Sequence, residues 1–481
     1  MIIEYTQKEL ICHLQMPIFG IIGEEADALG RECYVVGGFV RDIFLQRKSD
    51  DIDCVTVGSG IELAQRVAHR LGRGAHLSVF RNFGTAQLKY KGLEVEFVGA
   101  RKESYSHDSR KPAVEDGTLE DDQRRRDLTI NDMAICLNKQ RFGELIDPFG
   151  GISDLKAGLV RTPLDPDITF SDDPLRMLRA IRFACRFDFH IVPDTFEAIA
   201  RNRERIRIVS AERITDELNK IMLCEKPSVG WVLLQRCGLL QILLPELQAL
   251  SGIETREGKG HKDNFFHTIT VLDNICRAER EAGKEPNLWL HWAALLHDLG
   301  KAKTKAWDDK IGWTFHSHDY VGSRMVLPVF RRLKLPLGKE EKYVEKLVSL
   351  HMRPINLAEE GITDSAIRRV LFEAGDDIDD LMTLCEADIT SKIPEKVRRF
   401  LDNFKTVREK MQEIEEKDRI RNWQPPVDGL EIMERYHLSP SREVGILKDS
   451  LKDAILDGVC ANDRQQALDF LDRKAHEIGV L

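Results

Sequence analysis

The sequence has no C-x-x-C pair, no long apolar run and no excess of basic charge. Its ten cysteines stand singly from Cys12 to Cys460. That spacing excludes a zinc ribbon and argues against a disulfide framework, so free thiols in a reducing, cytoplasmic compartment are expected. The richest apolar stretch, Trp231–Leu244, is interrupted by Gln235, Arg236 and Gln241. A bilayer span needs about 18 uninterrupted apolar residues, so no membrane association is expected. The first residues carry Glu4, Lys8 and Glu9 without an apolar segment, and nothing reads as a secretory signal. Lys and Arg number 71 against 80 Asp and Glu, a net charge of −9. Coating of nucleic acid by bulk charge is thereby excluded, whereas a local basic groove is not.

What is present is a chain of 481 residues, 42% hydrophobic and 31% charged, enough for roughly three domains of about 150 residues. Texture changes along it. From Cys33 to about Phe149, β-rich runs (Tyr34–Val36, Cys54–Val57, Thr85–Tyr90, Val95–Gly99, Met133–Leu137) alternate with helical-period segments such as Ile61–Leu71. After Pro163 helical spacing dominates. The expected class is α+β, with segments 1–150, 151–255, 256–395 and 396–481. The charged stretch 395–421 reads as a solvated helix.

The first chemical constellation is Val35-Val36-Gly37-Gly38-Phe39-Val40-Arg41-Asp42, followed by Asp50-Asp51-Ile52-Asp53. Residues two apart on a strand share a face, so Asp51 and Asp53 repel each other unless a cation lies between them. An all-oxygen pair suits a hard cation such as Mg2+, which shares its remaining positions with substrate phosphates. Amides at Gly37 and Gly38, with the helix start behind them, suit the rest of a triphosphate. In the nucleotidyltransferases that this pattern resembles, a third carboxylate from a neighbouring strand completes such a site; Glu96 is the candidate, and Glu94, with the same facing, competes with it.

These residues resemble the polymerase β superfamily of nucleotidyltransferases. Arg124-Arg125-Arg126-Asp127-Leu128-Thr129-Ile130-Asn131, the Asp147 to Arg161 segment, Asp172-Asp173-Pro174-Leu175-Arg176 with Arg179 and Arg182, and Glu212-Arg213 to Glu217 follow in order. Together they resemble the class II tRNA nucleotidyltransferases and bacterial poly(A) polymerases. The resemblance implies a small mixed-sheet head and a helical neck, with tRNA, CTP and ATP as partners. It implies that Asp51, Asp53 and Glu96 are catalytic, that Asp173 and Arg176 read the base, and that Gly37, Gly38, Arg41, Arg126, Arg179 and Arg182 bind the nucleotide. On a helical wheel Arg176, Arg179, Arg182 and Arg186 form one cationic face, broken by Leu175 and Phe183. The family's leading Glu is Asp172 here. Arg201, Arg203, Arg205, Arg207 and Arg213 could track an RNA backbone or be solvated surface.

Further on, His267, the adjacent His297-Asp298 that ends an apolar helix, and Asp388 resemble the HD-superfamily phosphohydrolases. Imidazole and carboxylate together suit a divalent transition metal. His316, His318 and His351 are spare imidazoles able to extend that site. The expected activity is CCA addition to tRNA, with metal-dependent phosphohydrolase chemistry in the second domain. The alternatives are a poly(A) polymerase, a partial C- or A-adding enzyme, and an HD phosphohydrolase with a non-catalytic RNA-binding head.

Overall fold

The computed structural model describes residues 5–49, 51–106, 109–360, 363–391, 393–418 and 423–481. Asp50 of the acidic run lies outside the described residues. The chain divides into two compact units, Met1–Leu243 and Leu244–Leu481.

Nine strands of the first unit build its sheet and hairpin: β1 (Cys33–Val36), β2 (Asp51–Thr56), β3 (His76–Phe80), β4 (Thr85–Tyr90), β5 (Leu93–Gly99), β6 (Arg101–Ser106), β7 (Ser109–Asp116), β8 (Ala134–Cys136) and β9 (Leu145–Ile146), while Leu159–Val160 and His190–Ile191 pair as a small parallel sheet beyond them. Seven of them form one sheet in the order β3-β4-β5-β2-β1-β8-β9, and β6 and β7 pair as a separate hairpin. The sheet is mixed: β2 runs parallel to β5 and antiparallel to β1. Burial of Ile52 and Cys54 on β2 leaves Asp51 and Asp53 on the opposite face. The Gly60–Leu71 helix, capped by Ser59, buries Leu63, Ala64 and Val67. Every β-rich run read from the sequence is a strand. β3 and the 101–116 hairpin were not expected, for a common reason. β3 leaves every second residue exposed along its length, and β6–β7 are mostly charged and polar, so neither carries an apolar signal.

Helices make up the rest of this unit. The Leu175–Phe187 helix departs from the expected cationic face: Arg176 and Arg182 are buried with the apolar residues around them.

The second unit is helical. Asn264–Glu281, Leu288–Leu296, His318–Leu333, Lys339–Leu350 and Ile378–Ala387 bring the histidine-bearing segments together, and two short hairpins, 255–260 and 306–314, interrupt them. The charged Pro394–Asp418 helix is not a fully solvated one. Phe404, Val407, Met411 and Ile414 are buried along it, a stripe at three- and four-residue spacing that the surrounding Glu and Lys residues obscure in the sequence. Three further helices, Gly429–Arg435, Arg442–Leu456 and Arg464–Glu477, follow.

Candidate active site and candidate metal centre

β2 sets the acidic pole of the first unit. Its register places Asp53 opposite Val36 on β1 and Glu96 on β5. Burial, reinforced by repulsion from Asp51, Glu96 and Asp122, pushes the Asp53 carboxyl up to about 6 against the pull of Arg126. Glu96 is raised by burial and by Asp51. Glu94, beside Asp51 in register, behaves differently: its carboxylate is engaged by Lys89 Nζ and accepts from Gln87 Nε2 at 3.1 Å. The two glutamates thus differ in partners: Glu96 stands opposite Asp53, and Glu94 is paired with Lys89.

The turn after β1 brings the chain close to this pole. Gly37 has φ +72, a conformation that requires glycine, and a Cβ there would press on Arg126 Nη1 at 3.2 Å and touch Asp53 Oδ2 at 3.5 Å. The Gly37 N–H is not free for a phosphate as expected, because it donates to the Met133 carbonyl at 3.2 Å. The following amides, at the start of the Gly38–Phe44 helix, have no intrahelical acceptor.

Facing Asp51 and Asp53 is a cavity of about 490 Å³, walled by Gly37, Gly38, Arg41, Arg126, Asp173, Arg176 and Arg179. All nine of these predicted residues meet there. Arg41 binds Asp42 and donates to Asn131 Oδ1 at 2.6 Å, and its guanidinium lies 5.1 and 4.9 Å from the Phe183 and Phe187 rings. Arg126 holds the fully buried Asp122 through Nε and Nη2 at 3.0 and 2.9 Å. Arg179 bonds Asp127 at 2.5 Å; burial acts to raise Asp127, yet Arg179 and Asn131 hold it at about 2. Asp173 caps the Leu175 amide at 3.1 Å and accepts from Arg213 at 2.9 Å. Arg176 donates to the carbonyls of Thr169 and Arg125, which fixes the neck helix against the arginine-rich loop of the head.

Two predicted residues do not line the cavity: Glu96, which stands beside Asp53 on β5, and Arg182. Arg182 is buried, paired with the buried Glu217 at 2.5 Å, its guanidinium 4.0 Å from the Phe183 ring. A buried guanidinium needs that carboxylate more than the site needs the charge. Residues not expected at the nucleotide site line the wall as well: Asp127, Asn131, Leu175, Phe183, Arg186 and Arg213. Leu175 and Phe183 were the outliers on the wheel, and that exception was the available signal. The Arg201–Arg213 stretch is not a continuous basic track. Arg201 pairs with Asp167, Arg207 with Glu204, and Arg213 faces the cavity.

In the second unit His267 Nε2 lies 2.8 Å from Asp388 Oδ1 and 3.4 Å from Asp298 Oδ2, and His297 Nε2 lies 3.3 Å from Asp298. All four predicted residues are together. Two of the spare imidazoles join them: His318 Nε2 and His351 Nε2 approach Asp298 Oδ1 at 3.4 and 3.9 Å, while His316 is exposed and belongs to neither ligand cluster. Each ring is aimed by its other nitrogen. Nδ1 of His297, His318 and His351 meets the carbonyls of Ala294, Phe315 and Val348 at 2.7–2.8 Å, and His267 Nδ1 meets Thr390 Oγ1 at 2.7 Å. With Nδ1 so engaged, the Nε2 atoms of the four rings are turned toward the Asp298 and Asp388 carboxylates, and those of His318 and His351 meet each other at 3.3 Å. His297 Nε2 and Asp298 Oδ1 are buried without a hydrogen-bond partner, which is the condition of a ligand set rather than of a packed core. Burial acts to lower His297, but Asp298 and Asp388 hold it up at about 10, while burial takes His351 down to about 4. Two overlapping three-residue groups share Asp298, and their mixed nitrogen and oxygen donors fit a divalent transition metal.

Three segments of the chain match known families. Residues 33–161 match the poly A polymerase head domain, 188–250 the "Probable RNA and SrmB- binding site of polymerase A", and 264–393 the HD domain. An A-adding tRNA nucleotidyltransferase of Deinococcus radiodurans is 33% identical over 368 residues, covering 75% of this chain and 80% of that protein. The chain belongs to the tRNA nucleotidyltransferase and poly(A) polymerase family. A Shewanella frigidimarina relative, the multifunctional CCA protein, is 32% identical over 75% of this chain and 84% of its own length. A structure of a CCA-adding enzyme in its apo form shares the fold, with a TM-score of 0.66 over 98% of this chain and all of that one at 24% identity. The head match thus contains the acidic pole and the HD match the histidine cluster, while the cavity residues from Asp173 to Arg186 lie between the first two matched segments.

Two features generate predictions. Asp132 follows the family's arginine-rich loop and is buried with both carboxylate oxygens unpartnered. Burial pushes it from 3.8 to about 8, aided by Asp122, Asp127 and Asp147 against Arg126. A raised carboxyl contributes stability below its unfolded value and loses it as pH rises through the folded one. Between about pH 4 and 8 the wild-type melting temperature should therefore fall relative to that of Asp132→Asn, by about 2–4 °C for each kcal/mol lost; parallel pH profiles would contradict this. Gly300 supplies the second case. A Cβ there would lie 2.0 Å from the His318 carbonyl oxygen and 2.7 Å from the Gly322 nitrogen. Gly300→Ala should displace His318 and weaken Mn2+ or Ni2+ binding by about 10–100-fold in calorimetric titration, leaving nucleotide addition intact.

Proposed function

We propose that this chain adds C, C and A in turn to the 3′ end of tRNA from CTP and ATP. The observation that carries the reading is one cavity bounded by Asp51 and Asp53 on one side and by Asp173, Arg176 and Arg179 on the other. Asp51, Asp53 and Glu96 are the catalytic residues of this reading, and their all-oxygen donor set, with Asp53 raised by burial and by its acidic neighbours, fits Mg2+. When bound, Mg2+ supplies acidification of the tRNA 3′-hydroxyl and charge neutralisation at the leaving pyrophosphate. The protein's own part is positioning. Gly37 keeps side-chain bulk out of the space beside Asp53, and Arg41 and Arg126 present cationic groups to a triphosphate. The ion pairs of Arg126 and Arg179 to buried carboxylates hold these side chains before substrate arrives, so less ordering is needed on binding. Asp173 and Arg176 offer an acceptor and donors at one helix start, a pairing suited to the hydrogen-bonding edge of a base, with Phe183 beside them.

The histidine cluster supports a second activity, a metal-dependent phosphohydrolase. His267, His297, Asp298 and Asp388 would hold one divalent transition metal, and His318 and His351 extend the set through Asp298. The free thiols, nine of ten buried, favour a cytoplasmic setting.

A specific observation favours one alternative, addition of A alone: the Deinococcus relative is named for it. Incubation with tRNA lacking its last three nucleotides, and separately with tRNA ending in CC, separates the two. Labelled CTP should be incorporated into the first substrate and ATP into both once CTP is supplied. Incorporation of ATP into the CC-ended substrate alone would overturn full CCA addition, and long A tracts would indicate a poly(A) polymerase.

A further inference from the structure

The two small hairpins of the second unit carry a row of aromatic rings. Trp307 and Trp313 are cross-strand partners, so they share a face, and their centroids lie 5.3 Å apart. His261 meets Trp313 edge-on at 5.5 Å and Phe315 at 6.0 Å. All four rings are half-buried. Cations are interleaved with them: Arg256 lies 5.0 Å from the Trp307 centroid, Lys305 4.6 Å from Trp313 and Lys301 5.9 Å from Phe315.

The row ends at the metal centre. The Phe315 carbonyl lies 2.8 Å from Nδ1 of His318, and Lys301 Nζ lies 2.6 Å from Asp298 Oδ2. Tyr320, two residues beyond His318, is 61% exposed. Edge-to-face packing of the rings is enough to hold two short hairpins together, yet it explains neither their remaining exposure nor the cations over them. Aromatic faces interleaved with Lys and Arg along a surface are the chemistry by which single-stranded nucleic acid is held: bases stack and phosphates meet the cations. Lys305 is paired with the exposed Glu254 at 2.9 Å, a weak surface contact that yields readily to a phosphate.

We infer that this aromatic and basic row binds single-stranded RNA and leads its terminal phosphate toward the His318 side of the metal centre. Delivery of the phosphate rests on the phosphohydrolase reading; the stacking of bases does not.

The test uses the full chain and a five-nucleotide RNA carrying 4-thiouridine next to a 3′-phosphate, irradiated and mapped by mass spectrometry. Cross-links are expected in peptides spanning 253–262 and 305–320. Stacking is worth about 1–3 kcal/mol per base, so Trp307→Ala with Trp313→Ala should cut their yield by about tenfold or more. The double Phe variant should keep most of the yield, which separates stacking from hairpin collapse, and nucleotide addition should be unchanged in both. Cross-links confined to residues 1–243, or a yield indifferent to the Ala pair, would overturn the inference. Yield lost as expected, but with no phosphatase turnover in any variant, would sink the phosphohydrolase reading alone and leave the RNA site standing.

Discussion

Like charges on one strand edge are the constraint from which the first unit follows. Asp51 and Asp53 share a face of β2, and β5 runs parallel beside it, adding Glu96. Among the described residues nothing neutralises this pole completely: Arg126 approaches Asp53, but its guanidinium bonds Asp122 and the Asn131 carbonyl. Carboxylates held together at that cost make sense when a cation joins them. The glycine at position 37, the buried ion pairs and the arginine wall then read as provisions for an anionic substrate beside the cation.

Buried counter-ions do much of the positioning. Asp122 holds Arg126, Asp127 holds Arg179, and Glu217 holds Arg182. Breaking any of these pairs leaves an uncompensated buried charge, which is more costly than the pair is favourable. The arginines of the neck are thus divided: Arg179 is held at the cavity wall and Arg182 inside the core. The second unit applies the same logic to imidazoles, where backbone carbonyls fix one nitrogen of three rings and leave the other for a ligand.

Much of this was legible in the sequence because the informative residues act locally. A strand alternation fixes the facing of Asp51 and Asp53, and the spacing of the arginine-rich loop and the histidines carries a family resemblance. What escaped depended on tertiary partners. Glu94 and Glu96 are equivalent by facing, and the partners Lys89 and Gln87 from β4 distinguish Glu94. Arg182 looks like a cavity residue until Glu217 is found opposite it. Phe404, Val407, Met411 and Ile414 are diluted by charged neighbours, and β3 and the 101–116 hairpin carry no apolar run. The pairing of Trp307 with Trp313 needs a hairpin that the sequence does not announce.

The central claim is that the acidic pole of β2 and β5 is a divalent-cation seat. Anomalous scattering from crystals of the protein soaked in Mn2+ with a non-hydrolysable CTP analogue measures this directly. The account predicts a manganese peak between the Asp51 and Asp53 carboxylates, in contact with the triphosphate and lost in an Asp53→Asn crystal. A bound nucleotide with no peak there, or a peak held by other side chains, would contradict it.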